Sequence, residues 1–225
     1  MKKVSMTKII SFIVSLVPII LYLFMQSNIA DSIPVHFDLT GKADSFAGKT
    51  STEPYMIVST SLIMFIAYTV LSHFLLLSIR KNSKENSGIV NQIFDYILII
   101  LTLSVSCLLI YYIFLIKNID MLNIKVPLII VTLTLGLIFV VIGNSLPKLT
   151  QNKYAGFRTK DLVNNESKWF IWHRKIARVW VIGGILTMIL SILVGFTGFT
   201  GFLIINLSVP FLLILIPLGM MASSK

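Results

Sequence analysis

Within residues 26–54, His36, Asp38 and Asp44 bring one imidazole and two carboxylates close together along the chain. Such a set can hold a cation or accept hydrogen bonds from a ligand's amine. The same residue types also form turns and solvated loops, and the sequence leaves both readings open. A second ionisable pair, His73 and Asp95, lies in two apolar runs joined by the short link 80–92. The short link makes these runs antiparallel neighbours, so a His73–Asp95 contact is one reading. The preferred one is that Asp95 caps its own helix and faces headgroups. The third candidate is Arg158, set beside Gly156 and Thr159 in a turn-rich stretch. Its guanidinium fork suits a carboxylate or a lipid phosphate; the plainer alternative is one more charge in a basic loop.

Other chemistry is missing. No His-Glu-x-x-His pair, Gly-x-Ser-x-Gly elbow or glycine-rich phosphate loop occurs. The three histidines fall in different segments and cannot share one zinc. Cys107 is alone in an apolar run, so it forms neither an internal disulfide nor a cysteine zinc cluster. No catalytic residue, metal site or cofactor is expected, and the chain does not read as an enzyme.

The elements that must carry these residues are membrane spans. Hydrophobic residues make up 56% of the 225 positions and charged residues 12%, with a mean hydropathy of +0.91. Soluble domains carry about 25% charged residues, so an all-α integral membrane protein is expected. Continuous rather than alternating apolar runs favour helices over a barrel. Six transmembrane helices are placed near 9–26, 55–79, 93–116, 126–143, 179–197 and 202–222. The first resembles a signal peptide but lacks a small-residue cleavage site and is read as retained. Pro210 and Pro217 should kink the last span. Only Lys42, Lys49, Lys117 and Lys125 fall on one face of this arrangement, against the other fifteen Lys and Arg residues. That bias predicts a multi-pass protein of the bacterial cell membrane with both termini cytoplasmic. It also explains the net charge of +10 by contact with the lipid bilayer rather than direct nucleic-acid binding. Residues 1–79 then form a two-span hairpin with an extracellular Pro-Val-His-Phe-Asp loop. Residues 93–222 form a four-span region.

The outer loop contains an extended piece, Pro34 to Asp38, followed by a turn at Thr40-Gly41-Lys42. Glu53-Pro54 is read as the cap and first position of the second span. The basic cytoplasmic loop, residues 143–178, has two parts. The first is rich in turn formers: Asn144, Asn152, Gly156 and the Arg158-Thr159 pair. The second is helical in period, capped by Asn164 or Asn165, with Trp169, Trp172, His173, Ile176 and Trp180 on one face. It is predicted to be an amphipathic helix lying at the membrane interface before the fifth span, with its tryptophans as anchors. Asn144 and Asn206 are candidates for interhelical hydrogen bonds.

Two groups of residues resemble known patterns. Ile33 to Asp38, Gly41, Asp44 and Lys49 resemble a small N-terminal domain of unknown function from bacterial membrane proteins. Gly143-Asn144, Pro147-Lys148, Asn152, Gly156-Phe157-Arg158-Thr159, Glu166, Trp169, His173-Arg174 and Gly183 resemble the signature of the SdpI family. After Thr159 the chain departs from that signature, with Lys160-Asp161-Leu162 where the family has Pro-Trp-Thr. The resemblance implies a six-helix membrane immunity protein against a secreted peptide toxin. It also implies a receptor that, when loaded with toxin, draws a cytoplasmic DNA-binding repressor to the membrane. On this resemblance His36, Asp38 and Asp44 become candidates for ligand binding or sensing. Asn144, Asn152, Gly156, Arg158, Thr159, Trp169 and His173 become candidates for signalling or for shaping the cytoplasmic loop. The alternative is a small-solute transporter or accessory subunit, which the spans support poorly because they carry no midplane carboxylate.

Overall fold

Backbone polar groups in lipid must be satisfied within the chain, and helices do this locally. The computed structural model describes residues 5–38, 42–117, 125–197 and 200–222, with side chains of 194–207 and 220–222 left aside. Helix α1 (Met6–Met25) runs into a 3₁₀ turn (Gln26–Asn28) and then strands β1 (Ser32–Phe37) and β2 (Ala43–Gly48). Helices α2 (Thr52–Val58), α3 (Thr60–Asn82), α4 (Ser87–Lys117) and α5 (Lys125–Ser145) follow. A 3₁₀ turn (Leu146–Lys148) leads through the basic loop to α6 (Lys160–Asn164), α7 (Glu166–Thr197) and α8 (Thr200–Ala222).

Five described segments are long and apolar enough to cross a membrane: Met6–Asn28, Thr60–Asn82, Ser87–Lys117, Lys125–Lys148 and Glu166–Leu193. Helix α8 contains both Pro210 and Pro217 and holds a shorter apolar stretch, Ser208–Gly219. Burial runs opposite to that of a soluble protein. Ser11, Ser15, Ser61, Thr102, Ser106, Thr132, Thr187 and Ser191 are buried, while Phe12, Ile13, Phe24, Ile63 and Phe74 are exposed. Lipid tails give apolar side chains no reason to turn inward, so small residues that let helices approach fill the contacts. The chain is a multi-pass helical membrane protein.

Contacts divide the chain into two compact units, residues 1–69 with 98–130 and residues 70–97 with 131–225. In the first, Ser61 donates to Ser15 O at 2.7 Å and Ser106 to Val14 O at 3.1 Å. Its apolar core is Tyr22, Ile29, Ile33, Val58, Ile113 and Ile116. In the second, α5 and α7 meet at glycines. A Cβ on Gly136 would fall 2.8 Å from Gly184 O, and one on Gly184 would fall 2.6 Å from Gly136 O. Further along the same contact, Ser191 donates to Thr132 Oγ1 at 2.8 Å.

Several expectations are corrected. The chain is mainly helical as expected, and its extended Pro34 piece belongs to a two-stranded antiparallel sheet, in which Pro34 pairs with Phe46 and His36 with Ser45. Thr40 and Gly41 of the expected turn lie outside the described residues, as does the side chain of Asn206. Ser51 rather than Glu53 occupies the N-cap, and α2 is a separate short helix before α3. Hydrogen bonding to Ser51 holds the Glu53 carboxyl below its ordinary range. The helix bearing Asp95 begins at Ser87, so Asp95 is buried within α4 and caps nothing; it accepts from Asn91 at 3.3 Å. His73 packs edge-on to Phe74. Finally, the interfacial helix and the fifth span are one continuous helix, α7.

Candidate functional site

The first unit positions His36, Asp38 and Asp44 on the hairpin. Register pairs His36 with Ser45, and at the irregularity beside that pair His36 Nδ1 meets Asp44 Oδ1 in an exposed position. Asp38 turns elsewhere. Its Oδ1 accepts from Lys42 N at 2.9 Å, while its own N–H donates to Lys42 O at 2.9 Å. The hairpin thus brings two of the three together, and no metal-binding group occurs among the described residues.

Lys49 fixes the hairpin to the helices, a role that spacing gave no means of reading. Its ammonium donates to Ile29 O and pairs with Asp31, both at 3.0 Å, and its carbonyl accepts from Tyr22 Oη–H at 2.6 Å and Gln26 Nε2 at 3.0 Å. Tyr112 adds a bond to Pro34 O at 3.0 Å. What the hairpin leaves uncovered is the His36–Asp44 pair and Phe46, which is 56% exposed.

The second unit builds the basic loop as a packed structure. Asn86, 1% exposed, exchanges bonds with Thr150. Its Oδ1 accepts from Thr150 N at 2.9 Å and its Nδ2 donates to Thr150 Oγ1 at 2.9 Å. Asn152 Oδ1 accepts from the N–H groups of Tyr154 and Ala155, both at 2.7 Å, an Asx turn that reverses the chain. Gly156 follows at φ +95°, where a side chain is strained. A Cβ there would also fall 2.5 Å from His173 Nε2.

His173 is the centre of this arrangement. Phe157 N–H donates to its Nε2 at 3.1 Å, and its Nδ1 lies 2.9 Å from Trp169 O. Because Trp169 O can only accept, Nδ1 carries the hydrogen and the ring is neutral. The ring stacks on Trp169 with centroids 4.0 Å apart, and Trp169 Nε1–H donates to Leu149 O at 2.8 Å. Trp169 and His173 are both fully buried. Trp169 is therefore a core residue and not the expected interfacial anchor, because the loop folds back over the face that periodicity identified. Trp172 and Trp180 are partly buried; Lys175 sits over Trp172, and Trp180 Nε1–H donates to Leu213 O at 2.6 Å.

The remaining candidates separate clearly. Asn165 caps α7, accepting from Lys168 N at 2.9 Å, and Thr159 caps α6, accepting from Leu162 N. Asn144 is exposed at the end of α5. Arg158 is exposed, and its Nη1 donates to the carbonyls of Lys153 at 3.2 Å and Tyr154 at 3.3 Å. Sequence reasoning missed Asn86 and Gln151, whose Nε2 reaches Val163 O at 2.9 Å; nothing local marks either.

Residues 148–222 match the model of the SdpI/YfhL protein family, beginning where the loop leaves the 3₁₀ turn. The chain is also 26% identical over 227 residues, 99% of this chain and 95% of the relative, to the protein named Immunity protein SdpI of Bacillus subtilis (strain 168). No solved structure gives a significant match. The residues that wrap His173 lie inside the matched region, and the likeness to the SdpI immunity protein runs over nearly the whole of this chain.

Proposed function

We propose that this chain is a membrane immunity protein that protects its producer from a secreted antimicrobial peptide, and that it has six spans with both termini cytoplasmic. The observation that carries the reading is the nearly end-to-end likeness to a protein named for immunity. Lysine and arginine bias puts the hairpin outside and the basic loop inside. The hairpin then presents Phe46 beside the His36–Asp44 pair at the outer surface, an apolar and polar combination suited to an amphipathic peptide. Asp38 is tied to Lys42, and Lys49 anchors the hairpin to the helices. Inside, the basic loop shaped by Asn152, Gly156 and His173 is the part that signals to a repressor, so that protection and signalling are separate outputs of one protein.

The test is expression of the full chain in a bacterium killed by secreted peptides from the same genome. Survival at peptide concentrations that kill the empty-vector strain is expected. Unchanged killing across the panel, with the chain verified in the membrane, refutes the immunity reading. A Phe46→Ser chain should lose most of the protection while reaching the membrane in normal amount.

A further inference from the structure

Arg158 forms part of the wall of two cavities in the second unit. One, of about 550 Å³, is lined mainly by apolar side chains, among them Ile93, Phe94, Ile97, Ile142 and Trp180. The other, of about 520 Å³, is lined by Lys153, Arg158 and Lys160 with Thr159, Val163 and Asn164. None of these three cations has a carboxylate partner among the described residues. The Arg158 guanidinium is held by two carbonyls through Nη1 alone, which leaves its other N–H donors for a ligand. The apolar cavity sits where α3, α4 and α5 pass from apolar to charged sequence, as Ile79 followed by Arg80 shows on α3.

We infer that these two cavities, which share Arg158 as a wall, hold one anionic phospholipid, with its phosphate on Arg158, Lys153 and Lys160 and one acyl chain in the apolar cavity. Charge complementarity selects the headgroup, since three cations without a carboxylate partner among the described residues line a single cleft. The apolar walls select the tail: a peptide segment would bring backbone N–H and C=O groups that Ile93, Phe94 and Ile142 cannot satisfy, whereas an acyl chain needs no partner. A free phosphate ion would leave the apolar cavity unused. The family match and the immunity reading play no part in this inference.

The experiment is native mass spectrometry of the full chain in detergent, titrated with dilauroyl phosphatidylglycerol, dilauroyl phosphatidylcholine or inorganic phosphate. Phosphatidylglycerol should bind at least about tenfold more tightly than phosphatidylcholine. Arg158→Ala should weaken it by about tenfold or more, and Arg158→Lys, which keeps the charge but not the fork, by less. Ile97→Trp, which fills the cavity, should weaken both lipids. Arg174→Ala, on the exposed face of α7 and outside both cavities, should change binding less than about twofold. Equal loss in Arg158→Ala and Arg174→Ala would mean diffuse attraction to charge and overturn the site. Equal binding of the two lipids would overturn it too. Displacement by inorganic phosphate with no effect of Ile97→Trp would reveal an ion site and reject the lipid. If Arg158→Ala loses its circular dichroism spectrum, the Arg158→Lys and Ile97→Trp results decide.

Discussion

Replacing Gly156 with alanine should loosen the basic loop without unfolding the helices. Two contributions add. At φ +95° a Cβ costs about 1–2 kcal/mol. The added carbon would also lie 2.5 Å from His173 Nε2, and that ring cannot move aside because its stack on Trp169 and its bond to Trp169 O hold it. The loop must move instead, which opens the Phe157 N–H bond and costs about 1–2 kcal/mol more. Together these come to about 2–4 kcal/mol, or roughly 30- to 700-fold in the local opening equilibrium. Amide hydrogen exchange of the detergent-solubilised chain reads this directly at residues 150–158. Gly88→Ala is the matched control, since a Cβ there meets nothing within 4 Å and the backbone is helical; exchange there should stay the same or slow slightly. Exchange at Phe157 within about threefold of the unaltered chain would refute both the strain and the role given to His173.

Trp169→Phe keeps a ring against His173 but leaves Leu149 O without its donor, so the thermal midpoint in detergent should fall by the equivalent of about 1–3 kcal/mol. Trp172→Phe, whose ring is partly exposed beneath Lys175, should cost less than about 1 kcal/mol by the same measurement. Lys49→Met removes the bonds to Ile29 O and Asp31 while keeping the backbone carbonyl that Tyr22 and Gln26 use. Exchange across Ser32–Phe37 should quicken by about tenfold, while residues 149–157 stay unchanged; acceleration in both places would contradict the local role.

Helices were readable because long apolar runs with few charges have one solution in lipid. Strand β2 was not, because Ala43–Gly48 has no β-branched residue and only one large apolar one, Phe46; pairing with β1 and the Lys49 anchor impose its conformation. The start of α4 escaped notice for a similar reason. Asn86 sets it by bonding Thr150, 64 residues away, so Asp95 could pass for a cap. Periodicity placed Trp169, His173 and Ile176 on one face, and they are all buried. Whether that face meets lipid or protein depends on Leu149 and Phe157 folding back upon it, and no window of local sequence contains that information. The same limit applied at His36, which pairs with Asp44 across the hairpin while Asp38 bonds to Lys42.

The continuity of α7 has a mechanical consequence. Its 32 residues make a rod about 48 Å long, well beyond a hydrocarbon core of about 30 Å. A rod without a break moves as a lever, with Gly184 against Gly136 as a natural fulcrum. His173 stands eleven residues from Gly184, an arm of about 16 Å, so a tilt of about 10° sweeps its ring through about 3 Å. That travel equals the 3.1 Å span of the Phe157–His173 hydrogen bond, so small rotations of the helix suffice to latch or release the loop.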